Sequence, residues 1–508
     1  MACETTASSS TLQTGGEVTA YVETDMTRFL VRASVAVAAL GLSIVACSDD
    51  DDAPTGISTV TDVVLANHST TPALIKNLPA GVTAYSLIGS DDVLSGSPTF
   101  VFGGSADGAG LLKNADGSFT LLVNHEDNFA VSRVQLDKTF KPASGEYLVN
   151  STAGKYRLCS ATLATPEEHG FGPVFITAGE SSEESQILAV NPTGAANTPT
   201  YLTGLGRWNT ENAVPLPKQA YSGRTVLVLG DDDSGQYGGQ VALYVSSTVG
   251  DLDNGSVYVL ARTNDVTRER DMVVGQQYPV VFRKIDNHKT LTGREINVKS
   301  GELKSVQFGR VEDIDYRKGG TGREVYFNVT GQATTGVNAD FSRTKYGRVY
   351  RLTLDATDPL KGTLELLLDG DDRSGPARQF QNVDNIYVGR NYVYVQEDDN
   401  GYGDEAHDAY IYQYNIATRE VKVVAELDHR RTATDAAKYN ASGARPFAGW
   451  EYGALIDVSD VLGIEDTFLL SIQPHSWRGD KYKAVDGGSV RPNEDQASQI
   501  LVIRGLPR

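Results

Sequence analysis

Side chains able to bind cations gather where short apolar segments of this sequence end. Such groups follow the segments LLV, FITAG, LVLG and VYVQ, and their members are Asn124, His125, Glu126 and Asp127; Glu180, Glu183 and Glu184; Asp231, Asp232 and Asp233; and Glu397, Asp398 and Asp399. Carboxylate and amide oxygens are the ligands that Ca²⁺ prefers, and it takes six to eight of them. If the ends of several strands meet in space, these groups predict a cation site.

Each group also has a purely structural interpretation, because Asp-Asn-Gly and Asp-Ser-Gly are common in hairpin turns. We expect the segments 251–256 and 369–375 to be turns alone. Glu126 and Glu180 differ, since they follow apolar segments without a turn dipeptide of their own. A carboxylate in that position needs a partner or water.

Cys159 adds a different kind of ligand. The chain has three cysteines, and Cys159 is the one that lies outside the N-terminal region. A lone cysteine in an exported protein is either a small buried apolar residue or a reactive ligand. A thiolate is a poor ligand for calcium but a good one for iron or zinc. If Cys159 meets the acids, the site combines oxygen ligands for hard cations with one sulfur for a transition metal.

The elements that must position these residues are β-strands. Apolar, β-branched and aromatic runs of four to eight residues recur, for example RTVLVLG, GSVYVLAR and NYVYVQED, and Gly, Asp, Asn or Pro bounds each run. No Pro/Ser-rich linker divides residues 61–508. The sequence therefore predicts an all-β, single-domain β-propeller with six blades and insertions, whose inner strands converge on an axial channel. No clear sequence repeat marks the blades, and a pair of β-sandwiches is the alternative fold.

The N-terminal region reads as an export signal. Residues 26–46 have a basic start and an apolar run that is short for a membrane span, which is typical of a signal peptide. The run ends in IVAC, which resembles the lipobox of bacterial lipoproteins and implies lipidation of Cys47. The alternative is a cleaved signal with a chance cysteine. Residues 47–60 read as an acidic tether, and residues 1–25 as the result of a start assigned too far upstream or as an added cloning segment.

The overall charge restricts the partners. The formal net charge is −20, so the surface repels nucleic acid and anionic lipid and favours cations. We expect no nucleic-acid partner, membrane contact only through the N-terminal lipid, and a monomer. The predicted location is the bacterial cell envelope, as an outer-membrane or surface lipoprotein.

Eight segments resemble, in order, motifs of the PhoX-type alkaline phosphatases, a family of exported bacterial enzymes with a β-propeller fold and an iron–calcium centre. The segments are NHE (124–126), Cys159-Ser160 followed by Glu180, LGRWNTENA (205–213), GDDDSGQYGGQVALYVSS (230–247), GRVEDIDY (309–316), GRVYRL (347–352), VDNIYVGRNYVYVQEDDNG (383–401) and SIQPH (471–475). The chain departs from the family in the insert PEEHGFGP, in Thr210, Val311 and Asp313, and in lacking a twin-arginine signal.

The resemblance implies roles for particular residues. Cys159, Glu211 and Glu312 would bind Fe³⁺, and Arg310 and Asn124 would hold the phosphate. The residues that would bind Ca²⁺, or bridge it to iron, are Glu126, Glu180, Glu397 and Asp398, with Asp384 lining the same channel. The implied reaction is hydrolysis of a phosphomonoester by a metal-bound oxide or hydroxide. The alternatives are a related phosphodiesterase or phytase-like esterase, and a non-catalytic calcium-binding surface propeller that binds a glycan or a protein.

Overall fold

Strands form wherever the short apolar and aromatic runs occur. In the segment TVLVLGD every residue is buried, whereas RVYRLTL alternates buried and more exposed positions, as a strand with one covered face does. The computed structural model describes residues 61–398, 402–440 and 449–508, which belong to one unit, Thr59–Arg508. The predicted lipidation site Cys47, the predicted signal segment 26–46, the predicted tether 47–60 and Asp399 lie outside the described residues.

The described residues contain 26 strands. They are β1 (Ile75–Lys76), β2 (Thr83–Gly89), β3 (Ala106–Lys113), β4 (Phe119–His125), β5 (Ala130–Leu136), β6 (Pro142–Val149), β7 (Leu158–Ala164), β8 (Val174–Gly179), β9 (Leu188–Val190), β10 (Thr200–Tyr201), β11 (Thr210–Pro215), β12 (Thr225–Asp231), β13 (Val241–Ser246), β14 (Ser256–Arg262), β15 (Gln277–Ile285), β16 (Val311–Tyr316), β17 (Glu324–Val329), β18 (Arg348–Leu354), β19 (Lys361–Asp369), β20 (Val383–Val388), β21 (Tyr392–Glu397), β22 (Tyr410–Asn415), β23 (Val421–Leu427), β24 (Glu451–Asp457), β25 (Thr467–Gln473) and β26 (Gln499–Arg504).

Helices are few and short in the same residues. They are α1 (Ser151–Gly154), α2 (Gly293–Glu302), α3 (Ala436–Tyr439) and α4 (Ser459–Leu462), with 3₁₀ turns at Thr203–Leu205, Glu269–Asp271, Gly336–Asn338 and Asp480–Tyr482. Of these four helices, α2 alone exceeds about one turn. It begins with a capping box, in which Thr292 Oγ1 accepts a hydrogen bond from Glu295 N and Glu295 Oε2 accepts one from Thr292 N.

The strands form five antiparallel sheets. Four of them have four or five strands, in the orders β3-β4-β5-β6, β10-β9-β8-β7, β1-β23-β22-β21-β20 and β2-β26-β25-β24. The fifth has nine strands, in the order β11-β12-β13-β14-β15-β19-β18-β17-β16. The strands β3, β7, β11, β16, β20 and β24 contact one another in that order, and β24 contacts β3 again.

This arrangement confirms the prediction of an all-β, propeller-like fold. It differs from the two face-to-face sheets of a β-sandwich pair. Buried side chains fill the spaces between neighbouring sheets, where Tyr387 of β20 packs against Phe468 of β25 with ring centroids 5.2 Å apart. Among the residues described, no helix has the length and apolar character needed to cross a membrane.

The two ends of the described chain close the ring together. β26, near the C-terminus, pairs on one side with β25 and on the other with β2, which comes early in the sequence. This pairing covers an edge that either strand alone would leave open.

Truncation of Leu501 measures how much β26, which pairs with β2 and β25, stabilises the fold. Its side chain is fully buried in β26, so Leu501→Ala should lower the free energy of unfolding by about 2–5 kcal/mol. Urea unfolding followed by tryptophan fluorescence measures the change. Val490→Ala is the control, because Val490 is 47% exposed and its truncation should change stability by about 0.5 kcal/mol or less. Equal effects of the two substitutions would contradict a sealing role for β26.

Candidate metal centre

An irregularity repeated in six strands turns side chains towards a common centre. The ladder between β3 and β4 shifts register between Ala106 and Ala109, because β3 advances one residue more than its partner there. The same shift occurs in β7, β11, β16, β20 and β24 where each pairs with the strand that follows it. Such bulges redirect side chains and are common next to active sites.

Five of the six bulges contain a potential metal ligand. These residues are Asp107 in β3, Cys159 in β7, Glu211 in β11, Glu312 in β16 and Asp384 in β20. In the sixth bulge, in β24, the residue is Gly453, and a Cβ atom there would lie 2.6 Å from the Cα atom of Asp107. β24 supplies its acid, Glu451, two residues earlier.

A second set of acids follows the neighbouring strands. Glu126 comes directly after β4, Glu180 after β8, Asp232 after β12 and Asp398 after β21. Each of these strands is the hydrogen-bonded partner of a bulged strand. The fold therefore presents two successive sets of ligands at one end of the ring.

The two sets meet in an unbroken row of side chains. In each of four groups of three residues, the possible ligand atoms lie within 4.8 Å of one another. The groups are Glu126, Cys159 and Glu180; Asp107, Cys159 and Glu211; Glu211, Glu312 and Asp384; and Asp384, Asp398 and Glu451. Since adjacent groups share a member, the row runs from Glu126 to Glu451 without a gap.

Cys159 occupies the junction of two of these groups. Its side chain is buried, and Sγ lies 3.1 Å from Glu180 Oε2. The next backbone amide, Ser160 N, donates to Glu211 Oε1 at 3.3 Å. Burial raises the pKa of the thiol, and the charges of Glu126 and Glu211 raise it further. A bound cation would reverse that preference, because a coordinated thiol is deprotonated.

The carboxyl groups of the row also have raised pKa values, because their charged forms are buried and repel one another. Burial raises the pKa of Glu180, Glu211, Glu312, Asp384 and Glu451, and neighbouring carboxylates add to the effect in each case. Asp384 Oδ1 is buried and has no hydrogen-bond partner among the described residues. Closely spaced carboxylates, one of them with an unpaired oxygen, suit cations that prefer oxygen ligands, such as Ca²⁺. The single thiol suits a transition metal.

Arg310 lies at the edge of the row. Its guanidinium Nε is 2.7 Å from Asp232 Oδ1, and an Nη atom is 2.9 Å from Glu312 Oε1. The backbone of Arg310 has φ of 74°, which is costly for a residue other than glycine. The hydrogen bond from Thr330 N to Arg310 O, at 3.0 Å, helps to hold that conformation.

Two of the residues singled out in the sequence have other partners. The two oxygens of Glu397 accept hydrogen bonds from Gln381 N, Tyr410 N and Tyr412 Oη, and Oε2 lies 2.9 Å from His407 Nε2. Glu397 belongs to none of the four groups, because successive residues of a strand face opposite ways and Asp398 takes the inward position.

Asn124 is the second residue from the sequence analysis that has other partners. Its amide nitrogen donates to the carbonyl oxygen of Cys159 and to Thr177 Oγ1. The side chain is fully buried and holds the backbone of β7. This geometry gives Asn124 a positioning contact with Cys159, and its contact with phosphate stays a prediction.

Sequence reasoning missed Asp107 and Glu451 as candidate ligands and Arg157 as a neighbour of Glu126. A signal for the bulges exists in the sequence. In four of the bulged strands an acid or thiol precedes a polar residue and then Ala or Ile, as in LCSA (158–161), TENA (210–213), VEDI (311–314) and VDNI (383–386). The segment ADGA (106–109) follows the same pattern with glycine in place of the polar residue.

Comparison with known proteins supports the fold. No protein-family model matches the chain, and no curated protein matches it. The structure of Pseudomonas fluorescens PhoX in complex with vanadate, a transition state analogue, is similar with a TM-score of 0.57 and 15% identity, over 87% of this chain and 98% of that one.

Two further solved structures are similar at lower TM-scores. A Penicillium chrysogenum α-L-arabinanase complexed with arabinobiose matches with a TM-score of 0.38 and 11% identity, over 83% of this chain and 98% of that one. A GH43 β-1,3-galactosidase matches with a TM-score of 0.34 and 11% identity, over 83% and 98% of the two chains. At these identities the likeness to PhoX shows a PhoX-like fold, and the weaker matches carry no argument.

Removal of cations should destabilise the protein, and more so at higher pH. Because the row's carboxyl pKa values are raised on folding, the folded chain binds more protons than the unfolded chain above about pH 4. This contribution to stability is complete below the unfolded pKa and is lost as pH rises through the folded values. Calorimetry of chelator-treated protein should therefore show a melting temperature that falls from about pH 5 to about pH 8.

Calcium added to the chelator-treated protein should restore the melting temperature. The increase should be larger at higher pH, because fewer protons then compete with calcium for the carboxylates. At a concentration about a hundredfold above its Kd the stabilisation should be about 2.7 kcal/mol. As a control, the effect of calcium on the melting temperature is measured for Glu365→Gln. Glu365 is buried beside Arg351 and Arg419, and none of these three residues belongs to the row, so the response to calcium should be unchanged. A response to calcium that is the same at both ends of this pH range would contradict this account.

Proposed function

We propose that this protein is an exported metal-dependent phosphatase that hydrolyses phosphomonoesters. The observation that carries the proposal is the unbroken row of acids around one buried thiol, with a guanidinium at its edge. Phosphate is an anion, and a row of carboxylates alone would repel it. The same row with bound cations, and with Arg310 beside it, would attract it.

The ligand types suggest how two kinds of cation would divide the row. Cys159, Glu211 and Glu312 would hold Fe³⁺, since the sulfur ligand of the row is among them. Glu126, Glu180, Asp384 and Asp398, joined by Asp107 and Glu451, would hold Ca²⁺. When bound, these cations would stabilise charge on the phosphoryl group and activate the attacking oxygen nucleophile.

Arg310 would bind the phosphoryl oxygens. A guanidinium matches them with two parallel N–H donors, and it remains charged at every pH of interest. Glu312 and Asp232 orient the side chain from one side. The strained backbone of Arg310 fixes its direction before substrate arrives, which lowers the entropy lost on binding.

The fold suggests six blades. We infer that the nine-stranded sheet is two blades joined edge to edge where β15 pairs with β19. Six bulged strands in a closed ring support this count, since each would be the innermost strand of one blade. Lipidation at Cys47, a place in the cell envelope and a monomeric state are proposals that rest on the sequence alone.

Cys159→Ser should separate the iron site from the calcium sites. Purified wild-type protein prepared with both metals should contain iron and calcium and hydrolyse p-nitrophenyl phosphate. The variant should lose iron and at least about a hundredfold in turnover, because serine is a poor ligand for iron. It should keep some calcium, since the group of Asp384, Asp398 and Glu451 does not include Cys159. Metal analysis by mass spectrometry checks this, and an active wild-type protein without iron would reject the iron assignment.

Arg310→Lys should lower kcat/KM by about a hundredfold while leaving the metal content unchanged, because lysine keeps the charge but loses the paired donors. Arg317→Lys is the matched control. Arg317 pairs with Glu324 near the surface, 3.5 Å away, and its replacement should leave turnover unchanged. If the wild-type protein binds calcium but hydrolyses neither phosphomonoesters nor phosphodiesters, the non-catalytic surface propeller becomes the better description.

A further inference from the structure

Arg157 has a position that neither the sequence motifs nor the proposed catalytic roles explain. It comes directly before β7, two residues from Cys159, and its side chain is 42% exposed at the edge of the row. The backbone around it is fixed, because Glu180 N donates to Arg157 O at 2.8 Å and Arg157 N donates to Ser181 Oγ at 2.8 Å.

The guanidinium of Arg157 contacts the acids at one end of the row. One Nη atom lies 3.4 Å from Glu126 Oε1 and 4.0 Å from Glu180 Oε2, and the other lies 3.2 Å from Asp127 Oδ1. Glu126 and Glu180 are also the two carboxylates that form a three-ligand group with Cys159. Arg157 therefore pairs with acids that a cation would use.

A guanidinium and a metal ion cannot share these oxygens without cost. Two positive charges that bind the same oxygens repel each other, and a divalent ion doubles the charge on one side. Asp127 offers Arg157 a separate anchor, because it belongs to none of the four ligand groups in the described residues. The side chain is exposed enough to move between partners.

We propose that Arg157 is a built-in counterion that a metal ion displaces. In the metal-free protein its guanidinium partly neutralises Glu126 and Glu180. In the loaded protein the cation takes over both carboxylates, and the guanidinium stays at the edge of the row, held by Asp127. There it becomes a second donor for phosphate oxygens besides Arg310, a part of the inference that rests on the proposed phosphatase function.

Calcium binding tests the exchange without substrate or turnover. Titration calorimetry of chelator-treated full-length protein with CaCl₂ should show that Arg157→Gln binds calcium about fivefold more tightly, since a competing ion pair of about 1 kcal/mol is gone. Arg157→Lys, which keeps the charge, should bind within about twofold of wild type. The melting temperature of Arg157→Gln should fall relative to wild type in the metal-free protein and much less in the calcium-loaded protein.

Arg491→Gln is the matched control. Arg491 Nε donates to the carbonyl oxygen of Asp127 at 2.7 Å, and its guanidinium is exposed to a similar degree. Within the described part of the chain, its ion pairs are with Asp127 and Glu494 rather than with Glu126 or Glu180. The calcium affinity of Arg491→Gln should therefore match that of the wild-type protein. Unchanged or weaker calcium binding in Arg157→Gln, with equal losses of stability in both metal states, would overturn the proposal and make Arg157 a structural ion pair.

Inorganic phosphate tests the second part. With the metal-loaded protein, Arg157→Gln should bind phosphate about tenfold more weakly, and Arg491→Gln should bind it as wild type does. Unchanged phosphate affinity in Arg157→Gln overturns the role at the edge of the row. Because the calcium titration involves no hydrolysis, its outcome is independent of whether the protein is a phosphatase.

Discussion

Repulsion among buried carboxylates is the constraint on which the rest of this structure depends. Carboxylates that lie close enough together to bind one metal ion raise one another's pKa in a medium of low dielectric constant. Their repulsion opposes folding unless protons or cations neutralise them. A fold that keeps such acids together must supply enough packing elsewhere. Here buried aliphatic and aromatic side chains do so, both within the nine-stranded sheet and between neighbouring sheets. Core residues and candidate cation ligands thus occupy different positions of the same strands: Val311 and Ile314 belong to the core, whereas Glu312 belongs to the row.

The scaffold brings the ligands together by a local device used repeatedly. One extra residue in each of six strands turns a side chain out of the regular ladder, and the ring of strands points these side chains at one another. Close approach of the strands sets a further limit. At Gly108 a Cβ atom would lie 2.7 Å from the carbonyl oxygen of Cys159, so glycine at that position lets β3 and β7 come together.

Much of the fold could be predicted from the sequence, because strand signals are local. Runs such as TVLVLGD contain their own apolar pattern and end at a charged residue, and the structure confirms them as strands of a propeller-like fold. Asp107 could not be found in this way. Its segment, SADGAGLL, has two glycines and little strand propensity. It forms β3 because β4 pairs with it and the more distant strands β7, β24 and β25 pack against it.

The site shows the same division between local and long-range information. Glu126 and Glu180 could be selected because each follows an apolar strand, a feature visible within a few residues. The difference between Glu397 and Asp398 depends on which residue of a strand faces the centre, and that is set by register with β20. Glu397 pairs across the ladder with Val383, directly before the bulge that carries Asp384, so its side chain points away from the row and is saturated by hydrogen bonds.

The arginines complete this electrostatic arrangement. A row of acids without any positive partner would depend wholly on protons or metal ions for neutralisation, and such a protein would be least stable when no cation is bound. Arg310 and Arg157 lie at two places along the row and pair with acids from different groups. Their charges reduce repulsion among the carboxylates in the metal-free chain, and both guanidinium groups lie beside the acids that an anion would approach once cations are bound. The same side chains can therefore assist folding first and anion binding afterwards, because both tasks need a positive charge beside the same carboxylates.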